Sequence, residues 1–308
     1  MFGFKQYNHK SFQREMAMKH MMKAGAGVAA GPRPGSKAPD FEGRSLEGEK
    51  IRLSEFAGRQ NVVLTFGSAT CPFTAGSIGG LNELYEDYDR EDVQFLFVYV
   101  REAHPGESLP AHRSMDEKRL AAEQFRDEED IEMPVIVDDL GGKIHRKYGA
   151  LPNATYVIDK AGRVVFRSLW SRSSAISQAL DEVLRRQEAG REDSVVLGED
   201  KAVPMTYAML HSHRALERGG DQALREFREQ MGMPGRAAVA VSRVLEPVSL
   251  HPGRAMGGAA LAGAVIAGSL LVGYKLRQKR YGPLRNPYDY TRARRRREKM
   301  DEDYAVGI

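Results

Sequence analysis

The apolar positions of this chain fall into two kinds of run. Val62–Phe66 and Val93–Val100 are continuous stretches of β-branched and aromatic residues, the pattern of strands covered on both faces. Ile51–Leu53 and Pro134–Val137 read as shorter strands. Thr155–Ile158 and Val164–Arg167 read as a hairpin turning through Asp159–Gly162. Between them the apolar spacing changes to that of helices. Pro72 stands in the first turn of a helix that continues through Leu81, Leu84 and Tyr85, and Met115–Phe125 forms a second. Lys143–Tyr148 forms a short third, and Ile176, Leu180, Val183 and Leu184 line one face of a fourth. Strands separated by helices, then a hairpin and a closing helix, predict an α/β domain over residues 36–190, its mixed sheet covered by helices on both faces.

The flanks differ. Residues 1–35 are Met- and Lys-rich and end in Gly31-Pro-Arg-Pro-Gly35, which predicts a basic flexible or amphipathic arm and a linker. Residues 191–254 predict a helical connector, with helices over 204–216, 221–231 and 237–244. Ala255–Tyr274 is twenty residues without a charge, six of them Ala and five Gly. At 1.5 Å per residue it matches a bilayer core of about 30 Å, and predicts one C-terminal transmembrane helix. Its small residues predict close packing against other transmembrane helices. Residues 275–308 form a basic tail.

Charge sharpens this division. The net +4 hides +6 over residues 1–37 and +6 over 275–308, leaving −8 for the body between them. A basic tail beside an apolar span points to anionic lipid and topology, and not to nucleic acid. Eleven Lys/Arg follow the span, against Arg236, Arg243 and Arg254 just before it, which by charge alone places the tail in the cytoplasm. The first thirty residues lack a signal-peptide pattern, and on that ground the expectation is a single-pass membrane protein with its folded domain on the cytoplasmic side. A single cysteine among 308 residues excludes an internal disulfide and a zinc finger or iron–sulfur site.

That cysteine, Cys71, lies between a buried strand and a helix start, where free N–H groups and the helix dipole favour a thiolate. The expectation is a lowered thiol pKa. A strand-to-helix elbow is also where thioredoxin-fold redox proteins carry their cysteine. Thr65-Phe-Gly-Ser-Ala-Thr-Cys71-Pro-Phe, followed by Phe95-Leu-Phe-Val-Tyr-Val-Arg-Glu-Ala-His104-Pro, resembles the iodothyronine deiodinases and their bacterial deiodinase-like relatives with Cys in place of selenocysteine. The resemblance continues through Pro110-Ala-His112 and Lys147–Asp159. It implies a thioredoxin-like domain with Cys71 as nucleophile, and with Glu102, His104 and His112 as catalytic partners. It implies no cofactor beyond an external thiol reductant. Departures stand beside it: Ala69 replaces a second cysteine, Ala154 replaces an arginine of the hormone-acting enzymes, and Gly106-Glu-Ser-Leu replaces their usual sequence after Glu-Ala-His-Pro.

Thr74 occupies the place of a resolving cysteine, which excludes dithiol exchange within the chain. Two functions follow as expectations. One is a membrane-anchored, one-cysteine thiol-dependent reductase or peroxidase. The other is a non-catalytic scaffold or assembly subunit of a membrane complex, respiratory or photosynthetic for example, that keeps the redoxin fold as a docking module. In both the partners are membrane lipids and other transmembrane proteins, with no nucleic acid and no metal.

Overall fold

A computed structural model of the chain describes residues 7–26, 29–88, 92–190 and 196–250. Strands β1 (Glu42–Arg44) and β2 (Lys50–Arg52) form a small antiparallel pair. The main sheet contains β3 (Asn61–Gly67), β4 (Val93–Tyr99), β5 (Val135–Val137), β6 (Ala154–Ile158), β7 (Val164–Ser168) and β8 (Gly198–Asp200). Their order is β5-β4-β3-β6-β7-β8. β3 runs parallel to β4 and antiparallel to β6, so the chain's centre is a parallel pair flanked by the hairpin β6–β7. This is the predicted thioredoxin-like α/β architecture.

Parity along the strands divides the core. Val63, Phe95, Phe97, Tyr99 and Val157 face α2 (Pro72–Tyr88), α3 (Met115–Glu128) and α5 (Ser173–Glu188), meeting Leu81, Phe125 and Leu180 among others. The alternate residues Val62, Leu64, Phe66, Leu96, Val98, Tyr156 and Ile158 face the opposite side. There they pack with Phe41, Trp170 and Ile144 of α4 (Lys143–Lys147). Successive side chains of a strand point to opposite faces, and both faces here are dry. That is why these strands read as unbroken apolar runs.

The helical connector shows the predicted break after residue 231, a kink at Gly232 that divides its longest helix in two. α6 (Met205–Leu210) and α7 (Ser212–Gly219) precede α8 (Asp221–Leu250), which is broken only at Gly232, where φ is 61° and ψ −142°. The sequence shows two helices there because Gly232 and Pro234 interrupt the pattern. The N-terminal helix α1 spans Arg14–Gly25. Ahead of it Tyr7 and Phe12 are buried, so this part of the arm, expected to be flexible or amphipathic, is packed. Among the described residues no helix is long and apolar enough to cross a membrane. The predicted span Ala255–Tyr274 and the basic tail lie outside the described residues.

Candidate active site

β3 delivers the chain to the elbow. Gly67 is required there: a Cβ on it would stand 2.7 Å from both Phe97 Cζ and Thr74 Cγ2. Its absence lets the first turn of α2 settle against the sheet. Cys71 ends the turn by donating its N–H to Ser68 O (3.3 Å), and its carbonyl accepts from Ala75 N (3.0 Å) to open the helix. The backbone N–H groups of Phe73 and Thr74 and the Thr74 hydroxyl lie near enough to the Cys71 sulfur to favour its thiolate. The donors that stabilise a thiolate at a helix start are therefore present.

Yet the thiol is only 1% exposed. Burial is the largest influence on it and raises its pKa; the nearby Glu102 charge pushes the same way, against the three donors. The expected lowering is reversed. The sequence correctly places the donors and gives no sign of the desolvation.

Beside the elbow lies a buried polar group. The Glu102 carboxylate accepts from Thr70 N (2.9 Å), from Thr70 Oγ1 (2.7 Å) and from the Tyr99 hydroxyl. His112 Nε2 stands 3.4 Å from Glu102 Oε1, both side chains being almost inaccessible. Burial pushes the Glu102 carboxyl up, but the His112 ring and the Tyr99 and Thr70 donors outweigh it and hold the pKa below its ordinary value. Thr70 ties this group to the next loop, since its hydroxyl also accepts from His104 N at 3.0 Å. The structure thus brings Glu102 and His112 together, one residue from Cys71. Thr70 and Tyr99, which complete the group, are missed in the sequence. Their signals are slight: Thr70 adjoins the cysteine, and Tyr99 puts a hydroxyl at the end of an otherwise apolar strand.

His104 is placed differently. Its ring stacks on Phe12 (centroids 4.3 Å apart) and meets Phe227 of α8 edge-on at 5.4 Å. Nδ1 is buried without a hydrogen-bond partner. Burial and the neighbouring His9 lower its pKa to about 3. In this state His104 is a neutral aromatic plug.

Phe12 and Phe227 belong to a cover built from both ends of the described chain. On one side Tyr7 OH bonds His145 Nδ1 (2.8 Å), Arg101 donates to Tyr7 O (2.8 Å), and Asn8 Nδ2 donates to His112 O (2.6 Å). On the other, Arg218 of α7 donates to Ala69 O (3.2 Å), bonds Glu128 (2.7 Å) and pairs with Glu129. Arg214 pairs with Glu129 at 2.9 Å. The turn between α7 and α8 lies against the His104 loop: Ser108 N donates to Gly219 O (3.1 Å), and Gln222 N donates to Glu107 (2.8 Å). A Cβ on Gly219 would come 2.6 Å from His104 O, so glycine allows this contact. The two halves lock together, with Phe12 N donating to Glu226 and Gln230 Nε2 to Phe12 O. Among the described residues no cluster of His, Cys, Asp and Glu is arranged to hold a metal ion.

Fold and site together define a thioredoxin-like redoxin domain. Residues 34–167 match the AhpC/TSA family. The thiol-disulfide oxidoreductase ResA of Bacillus thuringiensis subsp. konkukian is 32% identical over 132 residues, covering 42% of this chain and 66% of that protein. The type I iodothyronine deiodinase of Xenopus laevis is 30% identical over 142 residues, covering 43% of this chain and 55% of the relative. The chain thus spans about two thirds of one relative's length and about half of the other's. The crystal structure of the exposed lipoprotein thioredoxin of Streptococcus pneumoniae strain TIGR4 is 26% identical, covers 47% of this chain and 99% of that one, and has a TM-score of 0.37.

Proposed function

We propose that this chain is a membrane-anchored, deiodinase-like redoxin that works as a one-cysteine thiol-dependent reductase or peroxidase and rests in a closed state. The observation that carries the reading is the convergence of the Phe73 and Thr74 N–H groups and the Thr74 hydroxyl on a sulfur that is otherwise sealed. A merely structural buried cysteine needs no such donors. Displacing the cover would rehydrate the sulfur and leave the donors in place, so the opened thiol would ionise near neutral pH.

From that state the chemistry balances with one cysteine. The Cys71 thiolate attacks one sulfur of a disulfide, forms a mixed disulfide and releases the other sulfur as a thiolate. With a hydroperoxide it attacks the terminal oxygen instead, the O–O bond breaks, and the products are a sulfenic acid and, after protonation, an alcohol. An external thiol then condenses with the sulfenic acid to a mixed disulfide and water. A second external thiol attacks that mixed disulfide, leaves as the oxidised disulfide and restores Cys71. Glu102 and His112 sit beside the elbow as a carboxylate–imidazole pair able to hold or pass the proton, and His104 joins them once Phe12 and Phe227 move away.

A second reading has its own support. A thiol 1% exposed beneath both ends of the described chain also suits a docking module of a membrane complex whose redox chemistry has lapsed. Reduction of hydroperoxide and of a small disulfide by glutathione or dithiothreitol separates the two. The enzyme reading expects turnover by the wild type that is lost in Cys71→Ser and raised in Gly219→Ala, which disturbs the cover. No turnover by wild type or Gly219→Ala would overturn it and leave the docking module. The anchor is assigned to Ala255–Tyr274, supported by its twenty uncharged residues and the basic tail that follows them. Protease protection of a tag at each end of the chain tests it.

A further inference from the structure

At Gly232 helix α8 folds back, and Val239 of its second half meets Leu224 of its first half and Leu216 of α7. Between the two halves the fold-back leaves a cleft of about 530 Å³, lined by Arg225, Arg228, Arg236 and Arg243, with Glu229 as its sole carboxylate. Helical spacing explains the cluster. Arg225 and Arg228 are three residues apart on the first half, and Arg236 and Arg243 are two turns apart on the second.

Several arginines elsewhere on the domain are paired with carboxylates: Arg126 with Glu47, Arg172 with Asp200, Arg186 with Glu182, and Arg214 and Arg218 with Glu129. Among the described residues none of the four cleft arginines has a carboxylate within ion-pair distance. Arg225, Arg236 and Arg243 are exposed and Arg228 is half-buried, and like charges gathered along one concave surface repel one another unless an anion joins them. Guanidinium groups in such a setting match phosphate oxygens.

Two further observations choose the anion. The most exposed large apolar side chains of the described chain include Met233 (75%) and Val244 (71%), both on this helix. Arginines interleaved with exposed apolar residues are the signature of a helix resting on a membrane surface. In sequence the helix leads, after Leu250, to the twenty uncharged residues that begin at Ala255.

We propose that the four-arginine cleft of α8 seats the phosphate of an anionic lipid headgroup, a contact separate from any spanning segment. This inference rests on the membrane-anchored reading, and its test distinguishes the two. Full-length protein is reconstituted into vesicles of phosphatidylcholine alone and of phosphatidylcholine mixed with phosphatidylglycerol, and amide exchange is followed over residues 225–243. The expectation is incorporation into both vesicle types, with exchange over the cleft slowed about tenfold or more only where phosphatidylglycerol is present. That slowing should vanish in an Arg228→Gln/Arg236→Gln variant and weaken with added salt. Equal exchange in the two vesicle types would overturn the headgroup site while leaving the anchor intact. Inorganic phosphate reproducing the slowing in phosphatidylcholine vesicles would overturn the lipid assignment. Failure to enter either vesicle would overturn the anchored reading itself.

Discussion

At Cys71 two influences oppose each other within a few ångströms: hydrogen-bond donors that favour the thiolate, and a dry environment that favours the thiol. Dryness wins in the closed state. Alkylation by iodoacetamide should therefore be slow at pH 7 in the native protein and still rising above the free-thiol pKa of about 8.5. A plateau near pH 7 would contradict the closed site. Glu102 is the converse case, a buried carboxylate kept ionised by His112, Tyr99 and Thr70. Glu102→Gln should cost about 1–3 kcal/mol, the scale for leaving buried donors without their charged acceptor, read as a fall in denaturant midpoint without a change of slope. Cys71 and its helix start were legible in the sequence because proline and the end of an apolar run mark them locally. The polar group was legible only in part. Nothing in the spacing of Thr70, Tyr99 and His112 shows that they meet one carboxylate, because their approach depends on how a strand end and two loops fold together.

Among the elements, the central strands and α2 announced themselves through long runs of a single period. β8 did not. Gly198-Glu-Asp200 has no apolar signature, and its pairing with β7 is held by Arg167–Glu199 at 2.9 Å and Arg172–Asp200 at 2.7 Å. The cover was equally hidden. Its contacts join residues roughly a hundred or more positions apart, such as Phe12 with Phe227 and Arg218 with Ala69, and no local pattern encodes them. Its weakest point is the contact of the α7–α8 turn with the His104 loop, which admits only glycine at one place on each side. Cβ atoms on Gly219 and on Gly106 would lie 2.6 Å from His104 O and 2.2 Å from Gly219 O. Gly219→Ala should accelerate Cys71 alkylation about tenfold or more while the far-ultraviolet spectrum of the sheet domain stays unchanged. Phe227→Ala should do the same by removing one wall of the His104 plug, at a cost of about 1–3 kcal/mol. Unchanged labelling in both would mean that α7 and α8 do not gate the thiol.

The molecule as a whole carries several buried imidazoles that resist protonation. His104 is lowered to about 3, and His9 and His211 to about 4, each mainly by burial. In the unfolded chain an imidazole takes a proton near pH 6.5. Between pH 6.5 and about 4 these three histidines therefore bind more protons in the unfolded state and destabilise the fold on acidification, outnumbering Glu83, whose carboxyl is raised to about 7 by burial and acts in the opposite sense. Glu102 adds to the loss at lower pH, since its ionised form is the one the fold stabilises. The thermal midpoint should decline steadily from pH 7 to pH 4.5. His104→Phe, which keeps an aromatic plug without the proton site, should flatten that decline. An unaltered slope in His104→Phe would show that the plug takes no part in it.

The position of β8 sets the scale on which all of this operates. Because the sheet holds the chain as far as Asp200, only residues 201–204 separate it from α6, and the cover can travel only as far as so short a tether permits. A segment tethered that closely competes at an effective concentration on the order of millimolar. A free substrate meets a rival that never diffuses away. Its apparent dissociation constant is the intrinsic one divided by the fraction of molecules open. Each tenfold strengthening of closure raises that constant tenfold, so any substrate of Cys71 is selected as much by abundance or by tethering close to the site as by fit.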